Sequence, residues 1–245
     1  MQSGWARPGR AVIALLIMNV AFYVIELVLM RAGAPVAEYT FLVPGRVFDE
    51  GWVWLPFTYV LFHAPDQPGH LLFNLLMLWM FGAALESWWG GKRLVVGYIV
   101  CALAGSAFTL IIALLSQTPL LAWLVPNFWS GPHVGASGAV VGLTLAWGFV
   151  FADQDMGFLF LGRMKGKTFA MIILGVELLV ALSFDRTSST SHLGGMLGAF
   201  ILIKGLWRPS RWADVFRKSR LNRKKKKIER ELRVLEGGKK DDLPN

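Results

Sequence analysis

Cysteine is all but missing: Cys101 stands alone among 245 residues, so no internal disulfide can form. It falls in the middle of an apolar run, where a small buried hydrophobe is the ordinary reading. Charge is scarce as well, with Asp, Glu, Lys and Arg at 17% of the chain against roughly 25% in soluble domains. Apolar residues reach 55% and the mean hydropathy is +0.50. Together these exclude an ordinary soluble domain, and the long apolar blocks are membrane-span candidates. A cleavable leader is not expected, because the first apolar segment is too long for a signal h-region and lacks a small-residue cleavage site. What charge there is lies at the end. After Trp207 the chain carries fourteen Lys/Arg against six Asp/Glu, a surplus of 14 − 6 = +8 out of the total of +9. A polybasic run directly after a membrane segment suits anionic headgroups better than nucleic acid, and no nucleic-acid partner is expected.

The apolar blocks predict an all-α membrane protein of six transmembrane helices with a long first loop, with spans near 12–30, 70–86, 94–115, 137–152, 169–184 and 191–207. This gives a transmembrane domain over 1–207 and a basic tail over 208–245. The loop from Arg31 to Gly69 is rich in Pro and Gly and slightly acidic, whereas Ser116 to Val134 is uncharged and holds Pro119, Pro126 and Pro132. With six spans, the basic N-terminus, the Lys92-Arg93 turn, the Arg163/Lys165/Lys167 loop and the tail fall on one side. The positive-inside rule makes that side cytoplasmic, with both termini inside a multi-pass cell (inner) membrane protein. Tryptophans near several boundaries, Trp88, Trp89, Trp129 and Trp207 among them, form the expected aromatic belt.

Polar groups inside spans are costly and usually functional. Here His70 and Asn74 open the second span, Ser137 the fourth and His192 the sixth. Even-numbered spans all begin on the outer side, so topology alone brings these four residues to one membrane depth. The sixteen residues from Ser137 to Ala152 make a helix of about 24 Å, against a hydrocarbon core of about 30 Å. Ser137 therefore sits several ångströms below the surface if Asp153 marks the inner face. A serine becomes a nucleophile when a base within hydrogen-bond reach takes its proton. His192 can be that base if the fourth and sixth spans pack closely, and both carry G-x-x-x-G, at Gly138/Gly142 and at Gly194/Gly198. Neither of those two spans places a carboxylate to orient the imidazole, which predicts a dyad. His70 and Asn74, four apart on one helix face, together with the Ser137 amide at the positive end of its helix, are the candidate oxyanion donors.

This combination resembles the rhomboid family of intramembrane serine proteases. The matching residues are His70-x-x-x-Asn74, Gly135-Ala136-Ser137-Gly138 and Ser191-His192-Leu193-Gly194-Gly195, supported by Phe81-Gly82, Glu86, Gly90-Gly91 and Tyr98. The resemblance spans about Thr58 to Leu206. It implies a six-helix rhomboid bundle, a catalytic Ser137–His192 dyad, and an oxyanion site from His70, Asn74 and the Ser137 amide. It also implies single-span membrane-protein substrates cleaved within or near their transmembrane segments. Neither cofactor nor metal is expected. Two positions depart from the family pattern. Where many relatives carry Trp-Arg shortly before the threonine matching Thr58, this chain has Trp54-Leu55, which bears on loop packing. Where many carry an aromatic ring one turn after the serine, stacked on the histidine, this chain has Val141, which leaves His192 held less rigidly.

Other readings compete residue by residue. Ser137 among glycines is by itself a helix-packing serine, and only its coincidence with His192, His70 and Asn74 makes it a nucleophile. His63 and His133 read as interfacial loop histidines, although His63 matches a structural histidine of the family. Glu26 reads equally as a polar contact inside the bundle or as a functional group, and Glu86 as a ligand of loop backbone or of a basic residue. A proteolytically silent client-binding relative would lack the serine or the histidine, and this chain keeps both. A transporter would spread polar groups through the membrane depth, and here they collect at one end.

Overall fold

The computed structural model describes residues 6–119, 128–158, 162–182 and 187–205. The basic tail expected over 208–245, the Asp185-Arg186 turn and the end of the sixth predicted span lie outside the described residues. In chain order the elements are α1 (Arg10–Arg31), α2 (Val36–Thr40), α3 (Pro44–Asp49), α4 (Leu55–Thr58), α5 (Pro68–Met77), a π turn (Leu78–Gly82), α6 (Ala83–Trp89), α7 (Gly91–Ser116), α8 (Ser137–Val150), β1 (Asp155–Phe158), β2 (Gly162–Lys165), α9 (Gly166–Leu182) and α10 (Thr187–Lys204). Within the described residues each predicted span falls largely on a helix. Three stretches, Arg10–Arg31, Pro68–Trp89 and Gly91–Ser116, are long and apolar enough to cross a bilayer by themselves. The others are shorter, at 14, 17 and 18 residues.

The bundle is arranged around α8. All residues from Ser137 to Gly148 are buried, as expected for a helix that is apolar on every side. Around it, α1, α5 and α9 turn Ile17, Val28, Leu72, Phe73, Met171 and Leu179 outward, an exterior suited to lipid rather than water. Trp147 of α8 meets Phe81 of the π turn at 4.7 Å and Phe169 of α9 at 5.8 Å between ring centroids. One aromatic cluster thus ties three elements together at the end of α8 away from Ser137.

Glycines set how closely α10 approaches. A methyl added at Gly138 would lie 2.7 Å from the Ser191 carbonyl, and one at Gly142 would lie 2.6 Å from that of Gly195. A methyl at Gly195 would overlap the Gly138 carbonyl. The close contact foreseen between the serine and histidine helices is present, but a different glycine of α10 makes it. Gly194 and Gly198, the expected pair, press on α7 instead, where added methyls would meet Ala104 at 2.5 and 2.7 Å. The G-x-x-x-G spacing identified a close-packing face correctly; consecutive glycines then gave α10 a second one, about 100° around the helix.

Two polar contacts close one end of the bundle. Glu86 accepts hydrogen bonds from the Ala11 and Val12 amides at 2.9 and 3.0 Å, satisfying the first free N–H groups of α1. Glu86 therefore ligates backbone, as its position suggested. At the same end of the bundle, where Trp88 packs on Phe151 after α8, exposed Asp153 pairs with Lys167 at 2.8 Å across the β1–β2 hairpin, whose register runs from Asp155↔Lys165 to Phe158↔Gly162. The sequence shows this connection only as a basic loop, since strands of four residues are too short to display a period.

The first loop is built without the Trp-Arg pair. Tyr39, Trp52 and Trp54 stack in series at 5.2 and 5.3 Å, and the Arg46 guanidinium lies over Trp52 at 4.9 Å while donating to the Glu38 carbonyl. Leu55 is fully buried. An arginine nine positions earlier thus supplies the loop's cation, and Leu55 joins the core. The loop is joined to the segment before α8 by paired hydrogen bonds between Leu42 and His133, and by Trp129 Nε1 donating to Asp49 at 2.8 Å.

The glycine contacts predict a contrast. Gly195→Ala, which must push α8 and α10 apart, should cost about 1–3 kcal/mol. Gly175→Ala on α9, with nothing within 4 Å of the added methyl, should be neutral or stabilising by up to about 1 kcal/mol. Thermal unfolding in detergent checks both, and equal effects would contradict the packing described.

Candidate active site

Ser137 is the first residue of α8 and is 5% exposed. At a helix start the first N–H groups have no intrahelical acceptor, so the Ser137 amide is available to a ligand. Gly135 places the serine there. Its φ of +118° is a conformation that L side chains rarely adopt, and its amide donates to the Tyr59 carbonyl at 3.0 Å. A methyl on Gly135 would also lie 2.9 Å from His70 Cε1. The imidazole of His70 therefore packs directly on the turn that presents the serine, which explains the glycine on two independent grounds.

His192 lies in the first part of α10, directly after Ser191, whose carbonyl sets the close approach to Gly138. Its Nδ1 is 2.9 Å from Glu177 Oε2 of α9. Its Nε2 is buried and has no hydrogen-bond partner among the described residues. His70 is near enough to His192 for their charges to interact. The structure thus gathers Ser137, His70 and His192 at one end of the bundle. No hydrogen bond joins Ser137 to His192 among the described residues; such catalytic contacts are often long until substrate arrives.

Asn74 is 2% exposed and reaches the same end from α5. Its Nδ2 lies 3.3 Å from His63 Nε2, and the Ala136 amide donates to that same nitrogen at 3.4 Å. A backbone N–H can only donate, so His63 Nε2 is an acceptor and the ring is neutral. Asn74 spends one amide hydrogen on His63 and retains a second. His63 is fully buried rather than interfacial, and its own amide donates to Glu26 Oε2 at 3.0 Å. Glu26, Asn74 and the Ala136-Ser137 turn are thereby joined through one histidine that lies between α4 and α5. Burial, followed by the nearby His70, pushes the His63 imidazole down to about 4. His133 is also buried, in the bridge to Leu42.

Two residues of the site were missed from the sequence. His63 looks peripheral in the sequence, because nothing local shows that it ties two other elements together. Glu177 is the one acidic residue in an otherwise apolar run from Phe169 to Leu182, and the cost of polar groups in spans makes it a signal readable from the sequence. Among the described residues no group of three or more His, Cys, Asp or Glu could hold a metal ion.

Residues 50–209, more than half of the chain, match the Rhomboid domain family. The chain belongs to the rhomboid family. It is 27% identical over 160 residues to Rhomboid protease GluP of Bacillus subtilis, covering 65% of this chain and 27% of that protein. It is 30% identical over 151 residues to the Putative rhomboid protease YdcA of the same organism, covering 61% and 65%. With Rhomboid-like protease 3 of Toxoplasma gondii it shares 26% over 200 residues, covering 79% and 68%. The chain thus spans about a quarter of the length of GluP and about two thirds of the two others. The rhomboid domain includes Ser137, His192, His70 and Asn74, and α1 with Glu26 precedes it.

His63 carries a pH prediction. The folded ring stays neutral down to about 4, whereas a free imidazole takes up its proton near 6.5. Between those values the unfolded chain binds more protons, so stability should fall as pH is lowered from 6.5 towards 4. Unfolding midpoints measured over that range should show the slope, and His63→Gln should reduce it. An identical slope in the variant would mean that His63 does not titrate in this way.

Proposed function

We propose that the chain is an intramembrane serine endopeptidase that cleaves single-span membrane proteins within or near their transmembrane segments. The observation that supports this reading is the approach of two helices at Gly138 and Ser191, the residues next to Ser137 and His192, with His192 Nε2 buried and unpartnered among the described residues. The printed names of the relatives support the same reaction class.

In this reading Ser137 Oγ attacks the scissile carbonyl carbon while His192 Nε2 takes the hydroxyl proton. Charge moves to the former carbonyl oxygen. The Ser137 amide, the second Asn74 amide hydrogen and His70 are the donors that receive it. Collapse breaks the C–N bond, and His192 returns its proton to the leaving amine. Water then attacks the acyl ester with His192 again as base, freeing the carboxylate and the serine.

Six crossings with both termini on the cytoplasmic side fit the charge distribution, and the 14 residues of α8, about 21 Å long, keep Ser137 inside a core of about 30 Å. The tail over 208–245 then meets anionic cytoplasmic headgroups. A cell membrane is the proposed location.

Cleavage of a single-span substrate in proteoliposomes tests the reading. Ser137→Ala and His192→Ala should each lower the rate by about 10⁴-fold or more, and Asn74→Ala by about 10²-fold. Unimpaired cleavage by folded Ser137→Ala would refute it.

A further inference from the structure

We infer that Glu177 of α9 is a positioning residue for His192, completing a Ser137–His192–Glu177 arrangement in which a carboxylate from the fifth predicted span fixes the imidazole. The inference rests on the serine-protease reading above and deepens it.

Placement comes first. Glu177 follows Ala170, Ile173 and Leu174 at spacings of seven, four and three, so it continues their face of α9. Those residues pack on Val141 and Leu145 of α8 and on Met196 and Leu193 of α10. Extending that face by one turn takes Glu177 to the His192 end of the bundle, where Oε2 lies 2.9 Å from Nδ1. The side chains are 14% and 16% exposed. A carboxylate in an apolar helix is costly, and among the described residues His192 is its only ion-pair partner.

Chemistry then assigns the role. The contact is on Nδ1, while Nε2 is the ring nitrogen without a partner among the described residues. A carboxylate accepts but does not donate. Nδ1 must therefore carry the proton, and Nε2 presents its lone pair, the form that a base for Ser137 requires. When Nε2 takes the serine proton, the imidazolium gains an anion at 2.9 Å, so the interaction strengthens as charge develops. Glu177 also does what Val141 cannot. Val141, one turn after the serine, offers only aliphatic contact within the α8–α9–α10 cluster, so no ring there can restrain the imidazole. A hydrogen bond from α9 restrains it instead. The charged or titratable groups near His192 in the described residues are Glu177 from α9 and His70 from α5.

The test separates charge, hydrogen bonding and fold. Full-length wild type, Glu177→Gln, Glu177→Asp, Glu177→Ala and Ser137→Ala are reconstituted with a single-span substrate. For each, kcat and KM are measured per folded molecule, with folding checked by thermal unfolding. Removing the carboxylate should lower kcat by about 10²-fold with KM changed by less than about twofold. Glu177→Gln keeps an acceptor and should lose less than Glu177→Ala; Glu177→Asp keeps the charge and should recover part of the loss. Glu177→Gln and Glu177→Ala both within about twofold of wild type in kcat would overturn the inference. So would losses confined to the amount of folded protein. Cleavage by Ser137→Ala at the wild-type rate would remove the underlying reading as well, and is distinguished from the other outcomes by that variant alone.

Discussion

The structure depends on one close backbone approach. Where α8 meets α10, Gly138, Gly142 and Gly195 leave no room for a methyl, and that contact sets the separation of the two helix ends carrying Ser137 and His192. Lipid offers apolar helices little hydrophobic reason to associate, so close packing of small residues has to supply much of the attraction. Gly194 and Gly198 repeat the device against α7. With one helix held on two sides, its histidine is held in register with both neighbours.

The polar groups follow from this frame. A helix start inside the membrane exposes amides that must find an acceptor. Here His63 takes the Ala136 amide, Glu26 takes the His63 amide, and the Ser137 amide is left for a ligand. The same network holds Asn74, so the groups proposed to receive the oxyanion are aligned by a buried neutral histidine. Glu26, His63 and Asn74 thus form one polar network at the start of α8.

Much of this was legible in the sequence. The apolar runs marked the long helices but not α2, α3 and α4 of the first loop, and the alternation of spans led to the expectation that His70, Asn74, Ser137 and His192 share one end without any knowledge of packing. What could not be read was which faces meet. G-x-x-x-G named Gly194 and Gly198 for the serine helix, and the neighbouring Gly195 took that role. His63 gave no local sign that it bridges Asn74 and Ala136, since both contacts join residues far apart in the chain. Glu177 had a usable signal, a lone carboxylate in an apolar helix, but its partner lies fifteen residues away on another element. The β1–β2 hairpin was invisible for another reason, its strands being too short to show a period.

The central claim is that packing makes Ser137 a nucleophile served by His192. Peptide mapping by mass spectrometry after treatment with a serine-reactive fluorophosphonate tests it most directly. The account predicts one adduct, on Ser137, that disappears in folded His192→Ala. An unmodified Ser137 in folded wild type, or an undiminished Ser137 adduct in His192→Ala, would contradict it.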